Sequence, residues 1–312
     1  MRRILSIDGG GIKGIVPAAF LAQLEEALGE SITNYFDLVA GTSTGGIIAL
    51  GLGMGLSAAD ILHFYEQLGP AVFAGSRLGR GLRRIGFAKY DSLPLRRVLE
   101  AKFGERTLGE SCVRLVIPSL NLETGEVHIY NTAHHSRFEV DYKERVVEVA
   151  LATAAAPTYF PTHRSAKGIP FIDGGMWANN PTGLAVVEAI GVLNWPRDEI
   201  RVLSLGCVTE PLHIGLARSL PLGLGYWATK VTDVFMAAQS SSSLGTASVL
   251  IGHEQVMRIS PSLGRGQFHL DSIKEIPSLR GLGASEARKA LPQVRKLFCQ
   301  THVEPFVPFN AS

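Results

Sequence analysis

A chain of 312 residues, 46 % hydrophobic and 19 % charged, has the length for one large α/β domain or two ordinary ones and can bury a sizeable core. Its 30 basic and 28 acidic residues leave a formal charge of +2, a balance that excludes the broad basic surface of a bulk nucleic-acid-polymer binder. Cys112, Cys207 and Cys299 are odd in number and lack metal-ligand spacing, which argues against a disulfide framework or zinc site and for reduced thiols in a cytoplasmic protein.

The opening MRRILSID offers too short an apolar run for a signal peptide. Residues 4–7 read as a strand that runs straight into DGGGIKG, residues 8–14. There Gly9, Gly11 and Gly14 match the G-x-G-x-x-G spacing of a dinucleotide turn, a weak signal by itself. Helical spacing follows at 17–28, then a strand at 36–40 and the turn GTSTGG at 41–46. The uncharged stretch 38–56 has the length of a membrane span, but six glycines and the TST cluster divide it into buried strand, turn and helix. No transmembrane helix is expected.

Residues 58–68 are spaced as a helix, 74–89 as a loop rich in Gly and Arg, and 113–120 and 127–130 as strands. A helix at 142–155 leads into Pro157, and a short apolar run at 169–172 precedes DGG at 173–175. A further strand falls at 202–205, and the serine tract Ser240 to Ser243 reads as a helix interruption. Alternating strands and helices indicate an α/β layered fold.

FDLVAGTSTGGIIALGLG places Gly41, Ser43 and Gly45 in the order G-x-S-x-G between a strand and an apolar helix. That is the setting of a nucleophile elbow, where a sharp turn exposes the serine and small neighbours let substrate approach. A glycine turn that merely packs a helix on a sheet uses the same residues. Neither GTSTGG nor GGGIKG supplies the Lys-Ser/Thr pair of a phosphate-binding P-loop. For a base, Asp173 stands at a strand end among glycines, able to orient and deprotonate Ser43 if burial raises its proton affinity. His213, His253 or His269 would complete a Ser-Asp-His order, but none lies in a glycine-rich strand-end setting, so a Ser-Asp dyad is the favoured reading.

DGGGIKG, GTSTGG and DGG, together with ALATAAAPTYFP at 150–161, resemble the patatin-like phospholipase family over the first two thirds of the chain. The resemblance implies a three-layer α/β/α patatin-like fold with Ser43 as nucleophile, Asp173 as its partner and the Gly9, Gly10 and Gly11 amides as oxyanion hole. The opening glycines then cradle a reaction intermediate rather than a pyrophosphate, since amides at a helix N-terminus favour an oxyanion. Asp8 is expected to brace that loop. Lys13 stands where the family usually has arginine, which keeps the charge but loses the planar fork.

A patatin-like core at 1–205 is expected, with 206–312 packed on the same domain as a lid or regulatory part. The implied reaction is hydrolysis of fatty-acyl esters of membrane phospholipid, with no cofactor and no metal. LPLGLGYWAT, within 212–229, carries Tyr226 and Trp227 and suits a lid or membrane-surface contact as well as an ordinary buried helix. Arg77, Arg80, Arg83, Arg84 and Lys89 form a basic loop able to meet an anion. MAAQSSSSLGTASVLIG, RISP and LDSIKEIPSLRGLG resemble the C-terminal part of bacterial patatin-like effectors in cyclic-oligonucleotide antiphage systems. That resemblance implies an activating cyclic oligonucleotide and a cytoplasmic enzyme acting at the inner membrane surface, switched through homo-oligomer assembly or groove opening. A constitutive housekeeping lipase and a non-catalytic phosphate-ligand binder are the alternatives.

Overall fold

A computed structural model describes residues 1–73, 88–209, 215, 223–227, 231–262, 264 and 273–309. Its strands are β1 (Arg2–Ile7), β2 (Leu38–Gly41), β3 (Arg114–Asn121), β4 (Val127–Asn131), β5 (His163–Arg164), β6 (Pro170–Asp173), β7 (Ile200–Leu205) and β8 (Val256–Ile259). Its α-helices are α1 (Ile15–Leu28), α2 (Thr44–Gly53), α3 (Ala58–Phe73), α4 (Leu93–Phe103), α5 (Val146–Thr153), α6 (Gly175–Ala178), α7 (Thr182–Gly191), α8 (Leu224–Trp227), α9 (Val231–Ile251) and α10 (Ile276–Phe298). The expected strands and helices among these residues are present, with α5 shorter than 142–155 because Asp141–Lys143 form a separate 3-10 turn.

The strands form one mixed sheet in the order β5-β6-β3-β2-β1-β7-β8, with β4 also paired to β3. β1 lies parallel between β2 and β7, while β6 runs antiparallel to β3. β2, LVAG, is buried on both faces and wholly apolar, and β1 is buried from Arg3 onward with apolar side chains at Ile4, Leu5 and Ile7. Alternate side chains face opposite ways. Leu5, Ile7, Val39, Leu115 and Leu203 join the core under α1, α2, α3 and α5, whereas Ile4, Leu38, Val116 and Val202 pack with Ala185 and Val186 of α7 and Ala247 of α9. Helices therefore cover both sheet faces, giving the three-layer α/β/α arrangement.

Residues beyond 206 contribute to the same sheet and core: β8 pairs with β7, and Leu279, Ala287, Val294 and Phe298 of α10 are buried in the larger cluster. The serine tract departs from expectation, because Ser240 to Ser243 lie inside α9 without interrupting it. Serine hydroxyls break helices when they compete for nearby backbone groups. Here Ser240 Oγ accepts from Asn180 Nδ2 at 3.1 Å, and Ser243 Oγ accepts from the Gly183 amide at 2.8 Å while donating to Asn180 O at 2.7 Å. Gln239 Nε2 adds a bond to Met176 O at 2.7 Å. α9 also holds a stretch, Val234–Ile251, long and apolar enough to cross a membrane by length and composition; its polar side is bound to the α6–α7 segment.

Of the basic loop expected at 74–89 only 88 and 89 are described, so Arg77, Arg80, Arg83 and Arg84 lie outside the described residues. Of 212–229, residues 215 and 223–227 are described, and Trp227 of α8 is exposed.

Candidate active site

β2 ends at Gly41, and two residues later Ser43 adopts φ 54°, ψ −119° before α2 begins. A non-glycine residue at positive φ outside the ordinary left-handed basin is strained, and such strain is held only where the surroundings enforce it. The surroundings are tight. A Cβ on Gly41 would lie 2.1 Å from Gly45 O, and one on Gly45 would lie 2.2 Å from Ile7 O, so the glycines of G-x-S-x-G let α2 start directly against the end of β1. The Ser43 amide donates to Thr153 Oγ1 at 3.0 Å, which itself donates to Pro118 O at 2.7 Å. Thr42 Oγ1 donates to Ala178 O at 2.6 Å, and Tyr65 Oη to Thr44 O at 2.7 Å.

This clamp presents Ser43 Oγ to Asp173 Oδ2 at 2.6 Å. Asp173 terminates β6, paired opposite Ser119 of β3, and its other oxygen accepts from the Gly175 amide at 2.6 Å. Burial pushes its carboxyl up to about 6, against the pull of the Ser43 and Gly175 hydrogen bonds. A carboxylate so tuned is ionised at neutral pH yet basic enough to take a proton. Among the described residues Ser43 meets no histidine: His253 is exposed in the turn after α9, and His213 and His269 lie outside the described residues.

The glycine loop joins β1 to a 3-10 turn, Gly11–Gly14, that leads into α1. Three amides were expected to face an oxyanion, and the loop distinguishes them. Gly9 is buried and its amide donates to Asn179 O at 2.9 Å, so it is already engaged. Gly10 and Gly11 are half-exposed, and among the described residues their amides have no protein acceptor. Lys13 sits within the turn. Asp8, expected to brace the loop, does so through Arg258 of β8: Nη1 and Nη2 reach its two carboxylate oxygens at 2.8 and 2.5 Å. Burial raises the Asp8 carboxyl, and the arginine's charge opposes it.

Arg258, Asn179 and Thr153 were not singled out from sequence. Thr153 lies in ALATAAAPTYFP and Arg258 in RISP, both quoted above, but their contacts depend on chain segments far apart.

A family model for patatin-like phospholipases matches residues 5–186. The chain belongs to the patatin-like phospholipase family. Within it, a cGAMP-activated phospholipase of Pseudomonas aeruginosa is 39 % identical over 298 residues, covering 92 % of this chain and 88 % of that protein. A cGAMP-activated phospholipase of Vibrio cholerae is 32 % identical over 273 residues, covering 80 % of this chain and 76 % of the relative. Among solved structures, VipD from Legionella pneumophila is similar with a TM-score of 0.49 at 14 % identity, covering 94 % of this chain and 67 % of that one. The patatin-like elbow at Ser43 and the strand end at Asp173 both fall inside the matched residues.

Proposed function

We propose that this chain hydrolyses fatty-acyl esters of membrane phospholipids through a Ser43–Asp173 dyad and is switched on by a cyclic nucleotide in bacterial antiphage defence. The observation that carries the reading is the 2.6 Å bond from Ser43 Oγ to Asp173 Oδ2, made by a serine held at φ 54°. Asp173 takes the hydroxyl proton as Oγ attacks the acyl carbonyl, and the half-exposed Gly10 and Gly11 amides stabilise the tetrahedral oxyanion. The ester C–O bond breaks as Asp173 returns the proton to the departing lysophospholipid oxygen. Water then attacks the acyl-enzyme, Asp173 again takes its proton, and fatty acid leaves as Ser43 Oγ is reprotonated.

Regulation is supported by the two relatives named cGAMP-activated phospholipases, which align over most of this chain. A cytoplasmic enzyme acting at the inner membrane surface fits that reading. Exposed Trp227 of α8 and Phe235 of α9 suit a peripheral lipid contact. An activating ligand must bind the active state more tightly, and a hundredfold shift requires about 2.7 kcal/mol of differential affinity.

The test is release of fatty acid from vesicles of phosphatidylethanolamine and phosphatidylglycerol, with and without cGAMP and a panel of cyclic di- and trinucleotides. Arg83→Ala and Arg84→Ala are run alongside. The expected result is weak basal release, strong stimulation by at least one nucleotide, and loss of that stimulation in the arginine variants. Full release without nucleotide would make this a constitutive lipase, and no release under any condition would refute the hydrolase reading.

A further inference from the structure

Arg258 lies outside the residues matched by the family model, on the strand added beside β7, yet its side chain ends one residue from the glycine loop. In the sheet register Ser6 pairs with Ser204 and Ser204 with Arg258, so all three project from the same face of adjacent strands. Arg258 Nη1 donates to Ser204 Oγ at 2.8 Å on its way to Asp8. Thr182, the first residue of α7, closes this polar row, with its Oγ1 2.9 Å from Ser6 Oγ and 2.7 Å from Ser204 Oγ. The backbone makes room for the guanidinium: a Cβ on Gly206 would lie 2.6 Å from Arg258 Nη2.

Four hydrogen bonds then fix the entry to the loop. Asp8 N donates to Leu205 O at 2.9 Å, Gly9 N donates to Asn179 O at 2.9 Å, and the Asp8 carboxylate is gripped on both oxygens by Arg258. The next two amides are those left for substrate. A buried ion pair is a poor source of stability because desolvating both charges offsets their attraction, but a two-pronged one fixes orientation well. Arg258 also neutralises an anion that would otherwise stand one residue from amides meant to stabilise a developing negative charge.

We infer that Arg258 is a positioning residue for the reaction, holding the Gly10 and Gly11 amides in register through Asp8 and cancelling the charge of Asp8 beside the oxyanion. The kinetic consequence rests on the hydrolase reading above; the structural consequence for the loop does not. Misplacing a reacting group by about 1 Å costs on the order of 100-fold in rate.

The experiment compares wild type, Arg258→Gln, Arg258→Lys and the double variant Asp8→Asn/Arg258→Gln, with Arg280→Gln, which removes an exposed pair with Glu66, as control. Vesicle hydrolysis is read as kcat and KM separately, and hydrogen exchange is read on the peptide spanning 8–14. Arg258→Gln is expected to lower kcat about 100-fold at unchanged KM, with faster exchange in that peptide. Arg258→Lys, which keeps charge without the fork, should fall between it and wild type. The double variant, which leaves no unpaired carboxylate, should recover part of the loss. Should Arg258→Gln fail to fold, the double variant carries the comparison. A folded variant with wild-type kcat, a change confined to KM, or unchanged exchange over 8–14 would overturn the inference. If wild type shows no hydrolysis while the variants still loosen 8–14, the hydrolase reading fails and the loop brace stands.

Discussion

Asp173→Asn removes a buried charge while keeping the shape of the carboxyl, so the fold should gain stability as activity disappears. Oδ1 can still accept from Gly175, and the new amide can donate to Ser43 Oγ, so the local bonds survive. What changes is the desolvation penalty. The folded carboxyl is raised to about 6 from an ordinary 3.8, so the folded state holds this proton more tightly than the unfolded chain. The stability linked to that proton is complete below about 3.8 and is lost as pH rises through about 6. A difference of about two units amounts to about 3 kcal/mol once both states are ionised. Thermal unfolding of wild type and variant at pH 4.5 and pH 8 measures it. The variant should melt about 2–4 °C above wild type at pH 4.5, where about 1 kcal/mol of the difference has developed, and roughly 6–12 °C higher at pH 8. A variant less stable than wild type at pH 8, or a gap equal at both values, would refute the reasoning.

The same carboxyl should shape the rate: kcat/KM for ester hydrolysis should fall on the acid side with an apparent pKa near 6, and a profile flat down to pH 4.5 would contradict this. In Gly10→Ala the added methyl would lie 2.6 Å from Cys207 Sγ and 2.8 Å from its Cβ, displacing the loop and lowering turnover about 100-fold or more; Cys207→Gly in the same chain should restore part of the rate, and no loss in Gly10→Ala would remove this amide from the mechanism. Because nucleophile and base bond directly, hydrolysis should survive EDTA, and a loss restored by calcium would reveal a missing metal ion.

The strand-turn-helix around Ser43 and the strand end at Asp173 were legible because their constraints are local. A serine at positive φ needs small residues within two positions, and Gly41 and Gly45 supply them; the buried strand-end carboxylate of Asp173 is followed by Gly174, where a Cβ would lie 2.2 Å from Pro118 O. The sheet and helices were legible for a similar reason, since strands buried on both faces become short apolar runs. Contacts set by pairing distant segments were not legible. Arg258 reaches Asp8 across 250 positions, and only the placement of β8 beside β7 brings them together. Gly9 looked like its two neighbours until the Asn179 carbonyl, a backbone group no motif encodes, took its amide. The serine tract misled because its hydroxyls serve Asn180 and Gly183 on another element rather than their own helix.

Reaction with a fluorophosphonate, followed by intact mass and peptide mapping, tests the dyad most directly. The account predicts one phosphonyl group per chain, on Ser43, with labelling and phospholipid hydrolysis both abolished in Ser43→Ala and severely slowed in Asp173→Asn. Labelling at a residue other than Ser43, or hydrolysis that persists in folded Ser43→Ala, would contradict it.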